Sequence, residues 1–247
     1  MKELEGGLRM HAVDLRGHGN SPWRQPYNLA AYAADIVEYI RTEIGGFTIL
    51  SGHSLGGLVS AGVAANHPGL VEAVILEDPP FYTAQLPVLK RSPLYDLFTS
   101  VRGLLTEHQQ KEGEMDELLK LVDQWRVAGS DSPLLRDAYG DYYVKQLALD
   151  LHRTDPSTLD PVLNGSLFDG FEPDSLLSQI RCPVMLIAGN SNRGSALREE
   201  DADRVASLVD DLEITKLDKV GHEIHTTQPL WFANTIRKFL VAKEMLA

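Results

Sequence analysis

The sequence predicts an α/β protein: a mainly parallel sheet flanked by helices, with a helical insertion. Three observations lead there. Short apolar runs of strand length, Thr48 to Ser51, Val71 to Leu76 and Pro183 to Ala188, are separated by stretches with helical periodicity. The first of these runs passes through Gly52-His53-Ser54-Leu55-Gly56 straight into the small-residue segment Leu58 to Ala65, a strand turning directly into a helix. Between Phe81 and Arg181, strand patterns give way to polar helices, and roughly a hundred residues is too long for an ordinary connection. A chain of 247 residues with 43% hydrophobic and 23% charged residues can bury one such core together with an insertion.

The elements follow in order. Met1 to Gly7 reads as a last helical turn with a glycine stop, leading to a strand at Met10 to Val13. Asp14 to Ser21 is a polar, glycine-rich turn whose His18 reads as a structural histidine. Tyr27 to Ile44 places Leu29, Tyr32, Ala33, Ile36, Val37 and Ile40 on one helical face, and Gly45-Gly46 ends it. After the Ser54 turn, Asn66-His67-Pro68-Gly69 stops the next helix, with His67 as a capping or surface residue. Val71 to Leu76 is a buried strand ending in Glu77-Asp78-Pro79-Pro80. Within the insertion, apolar stripes run through Met115 to Val127 and Tyr139 to Leu151, with a solvated turn at Gln109 to Glu114 between the helices. Asp155-Pro156, Asp160-Pro161 and Glu172-Pro173 punctuate the return. A strand at Pro183 to Ala188, a helix at Glu199 to Leu208, a strand at Glu213 to Leu217 and a helix at Pro229 to Leu240 complete the chain.

Ser54 is the candidate nucleophile. A strand that turns directly into a helix exposes the serine hydroxyl at the carboxyl end of the sheet, and Gly52 and Gly56 let the backbone pass without a Cβ clash. The Leu55 N–H, at the helix N-terminus, can stabilise an oxyanion. Two further motifs accompany this one: Asp14-Leu15-Arg16-Gly17-His18-Gly19-Asn20-Ser21 upstream and Val220-Gly221-His222 near the C-terminus. With these three in this order, the chain resembles the α/β-hydrolase superfamily in its esterase and lactonase branch with a helical lid. The resemblance implies a core over residues 1–80 and 182–247 and a lid with its return over 81–181. It implies Ser54 as nucleophile and His222 as base, with His225 the close rival.

Two departures from the family pattern bear on activity. The family places three strands and a His-Gly loop, source of a second oxyanion donor, ahead of the first helix; the chain lacks them. The third of those strands lies between the counterparts of Met10 to Val13 and Thr48 to Ser51. A gap is therefore expected there, closed by movement of the strands or by another chain, since unpaired buried amides are costly. The second departure concerns the acid. Where the family commonly has Gly-x-x-Asp, this chain has Gly189-Asn190-Ser191-Asn192, and a neutral Asn192 stabilises imidazolium far less than a carboxylate does. A subset of the superfamily carries the acid after the earlier strand, which points to Glu77 first and Asp78 second, with an acid elsewhere or none as the other outcomes. Period-two alternation sends Glu77 and Asp78 to opposite sides, so one of them faces His222.

The resemblance implies a serine hydrolase of carboxylic esters or lactones that needs no cofactor and acts on a small molecule. A carbon-carbon bond hydrolase of the same fold and a non-catalytic ligand-binding relative are the alternatives. A formal net charge of −12 argues against nucleic acid or an anionic membrane as partner. With no apolar run of membrane-spanning length and no leader, a cytoplasmic location is expected. Cys182, the single cysteine, reads as a structural thiol. No metal site is expected: His222-Glu223-Ile224-His225 is one residue short of the zinc-binding His-Glu-x-x-His and lies in a loop.

Overall fold

The computed structural model describes residues 7–127 and 133–246; the helical turn expected at Met1 to Gly6 lies outside the described residues. In chain order the main elements are α1 (Leu29–Tyr39, continued by a π-helical turn, Ile40–Ile44), β1 (Thr48–His53), α2 (Leu55–Asn66), β2 (Val71–Glu77), α3 (Pro93–Gln110), α4 (Met115–Val122), α5 (Leu135–His152), β3 (Val184–Ala188), α6 (Glu199–Ala206), β4 (Leu212–Lys216), α7 (Ile224–Thr227) and α8 (Pro229–Ala242). They fall into two compact units. One holds residues 7–13, 29–84 and 168–246, the other residues 14–28 and 85–167.

The first unit is built on a parallel four-stranded sheet in the order β1-β2-β3-β4. Its inner strands are apolar from Ala73 to Leu76 and from Val184 to Ala188 because both faces are covered there. Ala73, Ile75, Met185 and Ile187 pack on one face with Val220, Ile224, Ile236, Phe239 and Leu240, so α8 and the loop before it close that side. Val74, Leu76 and Leu186 alternate to the opposite face and are fully buried. There α2 packs against β1 and β2. Burying a leucine or isoleucine of this kind stabilises by about 1.5–3 kcal/mol each, which makes the centre of the sheet a firm base for the strand ends.

Met10 to Val13 does not form the strand its sequence suggests. Among the described residues β1 pairs with β2 alone, and a cavity of about 780 Å³ lies between residues 8–13 and β1. Extended backbone becomes a strand only where a neighbour takes its hydrogen bonds, and across this cavity none does. Met10 and Val13 remain about 40% exposed.

In the second unit, the polar turn after Val13 is tied to the segment that follows α5. Asp155 N–H donates to Gly17 O at 2.8 Å and the Tyr27 hydroxyl donates to Asp155 Oδ2 at 2.5 Å. His18 Nδ1 lies 3.0 Å from Arg16 O, a local bond within the turn. Leu105, Leu118, Val122, Leu135, Val144 and Ala148 make the core of α3, α4 and α5. The excursion read as residues 81–181 divides: 85–167 belongs here with 14–28, whereas 81–84 and 168–181 belong with the sheet. The helix α3 has no counterpart in the sequence reading, and α4 stops at Val122, before Trp125. No described helix is long and apolar enough to cross a membrane.

Candidate active site

β1 runs to His53, and Ser54 follows with φ 52° and ψ −115° at the N-cap of α2. Side chains other than glycine rarely adopt this conformation, and it stores on the order of 1–3 kcal/mol. What holds it is visible in the backbone: Ser54 N–H donates to Glu77 O at 2.9 Å, and Gly57 and Leu58 N–H both return to Ser54 O. The turn is so tight that a Cβ on Gly52 would stand 2.1 Å from Gly56 O, which is why no other residue fits there; Gly56, expected to be needed for the same reason, is not, since a Cβ there meets nothing within 4 Å. Leu55 is the first residue of α2, so its N–H has no acceptor within the helix and points with the positive end of the helix dipole.

β2 ends one strand away, and there the chain turns sharply. Asp78 has φ 47° and is fully buried, with its own N–H on Ile187 O at 2.8 Å. Its carboxylate collects four donors. Oδ1 accepts from the Ser195 hydroxyl at 2.5 Å and Leu197 N–H at 3.1 Å; Oδ2 accepts from Ala196 N–H at 2.7 Å and from His222 Nδ1 at 2.6 Å. A carboxylate so enclosed fixes the imidazole with Nδ1 as donor and leaves Nε2 basic. The loop bearing His222 approaches closely because Gly189 and Gly221 have no side chains: a Cβ on Gly189 would stand 2.1 Å from Gly221 O, and one on Gly221 2.1 Å from Arg193 O.

Glu77, expected first as the partner of His222, goes elsewhere. It is the last residue of β2 and keeps the strand's alternation, facing the side covered by α7 and α8. There its carboxylate accepts from His225 N–H at 2.8 Å and lies 2.9–3.0 Å from His225 Nδ1. Asp78 has left the strand, and its positive φ swings it toward Ser195 to Leu197 and His222. The two acids therefore serve two different histidines. His53 completes this second group: its Nε2 lies 3.0 Å from His222 O, and its ring stacks obliquely 4.3 Å from that of His222 and 5.0 Å from that of His225. Burial, and then the nearby His222, lower the pKa of His53. Burial pulls His225 downward too, but the hydrogen bond and charge of Glu77 outweigh it and leave the pKa raised. One ligand atom from each of His53, Glu77 and His225 lies within 4.8 Å of the others, a set of donors able to hold a metal ion.

A family profile described as the alpha/beta hydrolase family matches residues 1–235. The chain belongs to the alpha/beta hydrolase family. Among curated proteins it is 26% identical over 251 residues to a serine hydrolase-like protein of Danio rerio, covering 96% of this chain and 74% of that one. Over 68 residues it is 47% identical to a 2-(acetamidomethylene)succinate hydrolase of Mesorhizobium japonicum, a local match to 27% of this chain and 24% of that protein. Among solved structures it resembles the enol-lactonase from Burkholderia xenovorans LB400 with a TM-score of 0.64 and 19% identity, over 92% of this chain and 79% of that one. That last likeness is one of fold.

In this alpha/beta hydrolase, Asn192 has no part in the constellation. Its N–H caps on Asn190 Oδ1 at 2.9 Å in an exposed turn, while the Asn190 side chain donates to Asp218 O. The segment Ser195-Ala196-Leu197 supplies three of the four donors to Asp78. Nothing local in the sequence marks it, because two of those donors are backbone amides that every residue has. The expected loop at His225 is instead the one-turn helix α7, and His225 is drawn to Glu77 rather than to Asp78.

Proposed function

We propose that this chain is a serine hydrolase that cleaves a carboxylic ester or lactone through an acyl-enzyme, with Ser54 as nucleophile, His222 as general base and Asp78 as the acid behind it. The observation that carries the reading is the bond from His222 Nδ1 to Asp78 Oδ2 at 2.6 Å, made by a fully buried carboxylate that three other donors keep in place. His222 Nε2 takes the proton as the Ser54 oxygen attacks the carbonyl carbon. Asp78 holds the ring and stabilises the imidazolium that results. The Leu55 N–H stabilises the tetrahedral oxyanion, and the imidazolium returns its proton to the leaving alkoxide. A water activated by the same ring then releases the acid, so the net change is ester plus water to acid plus alcohol.

Fluorophosphonate labelling of the full chain tests this. Ser54 is expected to react stoichiometrically and the label to vanish in Ser54→Ala; a folded, unlabelled wild-type protein would overturn the reading. That β1 pairs with β2 alone among the described residues, with a cavity on its other side, favours a second possibility, a hydrolase-like chain that binds a ligand without turnover. That protein would fold, bind and leave the phosphonate untouched.

A further inference from the structure

We propose that His53, Glu77 and His225 form a binding site for a divalent transition-metal ion of the zinc type, on the sheet face turned away from the Asp78 carboxylate. The parallel register pairs His53 with Glu77, so their side chains rise from the same face of the sheet on adjacent strands. The third donor arrives from α7, held there by the bond from its own N–H to Glu77 at 2.8 Å. One donor atom from each residue lies within 4.8 Å of the other two, and the Glu77–His225 pair is already at 2.9 Å. Metal–ligand bonds of about 2.0–2.2 Å in a tetrahedron separate ligand atoms by roughly 3.3–3.6 Å. Shifts of about an ångström, within the reach of small χ changes, therefore bring all three to one centre.

The chemistry of the set selects the ion. Two imidazoles and one carboxylate suit zinc, cobalt or iron in the divalent state, whereas calcium and magnesium prefer oxygen alone. Glu77 is only 2% exposed, and among the described residues its ion-pair partner is His225 rather than a lysine or arginine. Its buried charge thus faces two neutral-capable ligands and no permanent cation. All three residues line the cavity of about 780 Å³ beside β1, which gives an ion a way in and leaves room for water at the remaining coordination position. The contiguous stretch His222 to His225 contributes one ligand, so the site is invisible to a search for a helical zinc motif. An ion there ties the ends of β1 and β2 to the loop that carries His222.

Cobalt(II) is the probe of choice because its visible absorption reports coordination. The purified full chain, stripped with a chelator and desalted, is titrated with cobalt and then with zinc. The proposal expects a d–d band that saturates at one ion per chain, is displaced by zinc, and persists in Ser54→Ala. His225→Phe and His53→Phe should each weaken binding by more than the 10–100-fold that even outer-shell changes cost. Absence of a saturating band, or wild-type binding in both variants, would overturn it. Should either variant misfold, zinc-edge X-ray absorption of the loaded wild-type chain decides: two imidazoles in the fit support the site, and fewer than two refute it.

Discussion

Asp78→Asn isolates the role assigned to the carboxylate behind His222. In the wild type, each oxygen accepts two hydrogen bonds, from Ser195 Oγ and Leu197 N–H on one side and from Ala196 N–H and His222 Nδ1 on the other. An amide keeps one acceptor oxygen, so two of the four donors meet an NH₂ group. Each buried donor left without an acceptor costs about 1–3 kcal/mol, or about 2–6 kcal/mol in sum, out of a stability of about 5–15 kcal/mol for a typical domain. Turnover falls further, because the imidazolium loses its counter-charge. In a serine–histidine–aspartate system that loss is about 10⁴ in kcat, or about 5 kcal/mol of transition-state stabilisation. The assay is kcat on a nitrophenyl acetate ester, corrected for the folded fraction by near-UV circular dichroism. Glu77→Gln is the control: it removes charge beside His225, and kcat should change by less than about tenfold. A Glu77→Gln variant slower than Asp78→Asn would refute the assignment of Asp78.

Gly52→Ala forces a Cβ to within 2.1 Å of the Gly56 carbonyl oxygen, and should fail to fold or lose at least the 1–3 kcal/mol typical of an overpacked site; Gly56→Ala, whose added carbon meets nothing within 4 Å, should still fold, as thermal melts of both would reveal. Asp174 accepts from Arg204 Nε at 3.1 Å and from the Tyr82 hydroxyl at 2.8 Å. The Arg204 bond holds its pKa below the ordinary value, against an opposing contribution from burial and with help from Tyr82. A depressed carboxylate pKa stabilises the fold above the unfolded pKa of about 3.9 and loses that contribution as pH falls through the folded value. Urea midpoints of wild type and Asp174→Asn should therefore differ by a constant amount from pH 5 to 8 and converge below about pH 4; a gap that widens in acid would contradict this. Ser54→Ala should abolish both phosphonate labelling and ester turnover while leaving the unfolding free energy from urea titration within about 1 kcal/mol of wild type, since alanine keeps the Cβ and with it the same backbone strain at φ 52°.

The sheet and the Ser54 turn were legible because their signals are local. The apolar residues of each buried strand are contiguous in sequence, and Gly52-x-Ser54-x-Gly56 lies directly between one such run and a small-residue helical segment, which together point to a strand-to-helix turn. His222 likewise stands in its own short motif, after Val220-Gly221. The strand expected at Met10 to Val13 failed for the converse reason: a strand is a property of a pair, and its composition says nothing about whether a neighbour is there to bond it. The helix α3 went unread because its core-facing residues, Leu105 foremost, are spread among polar ones.

By itself, then, the order of residues determined the α/β class, the turn that presents Ser54, and the two acids at the end of β2 between which a choice had to be made. The tertiary structure made that choice. Asp78 and Ser195 are 117 residues apart, and Glu77 and His225 are 148 apart. No local pattern specifies which distant loop lies beside which strand end. Glu77 keeps the alternation of β2, whereas Asp78 leaves the strand with a positive φ, and only the packing of the 195–197 loop on one side and of α7 on the other settles which histidine each one meets.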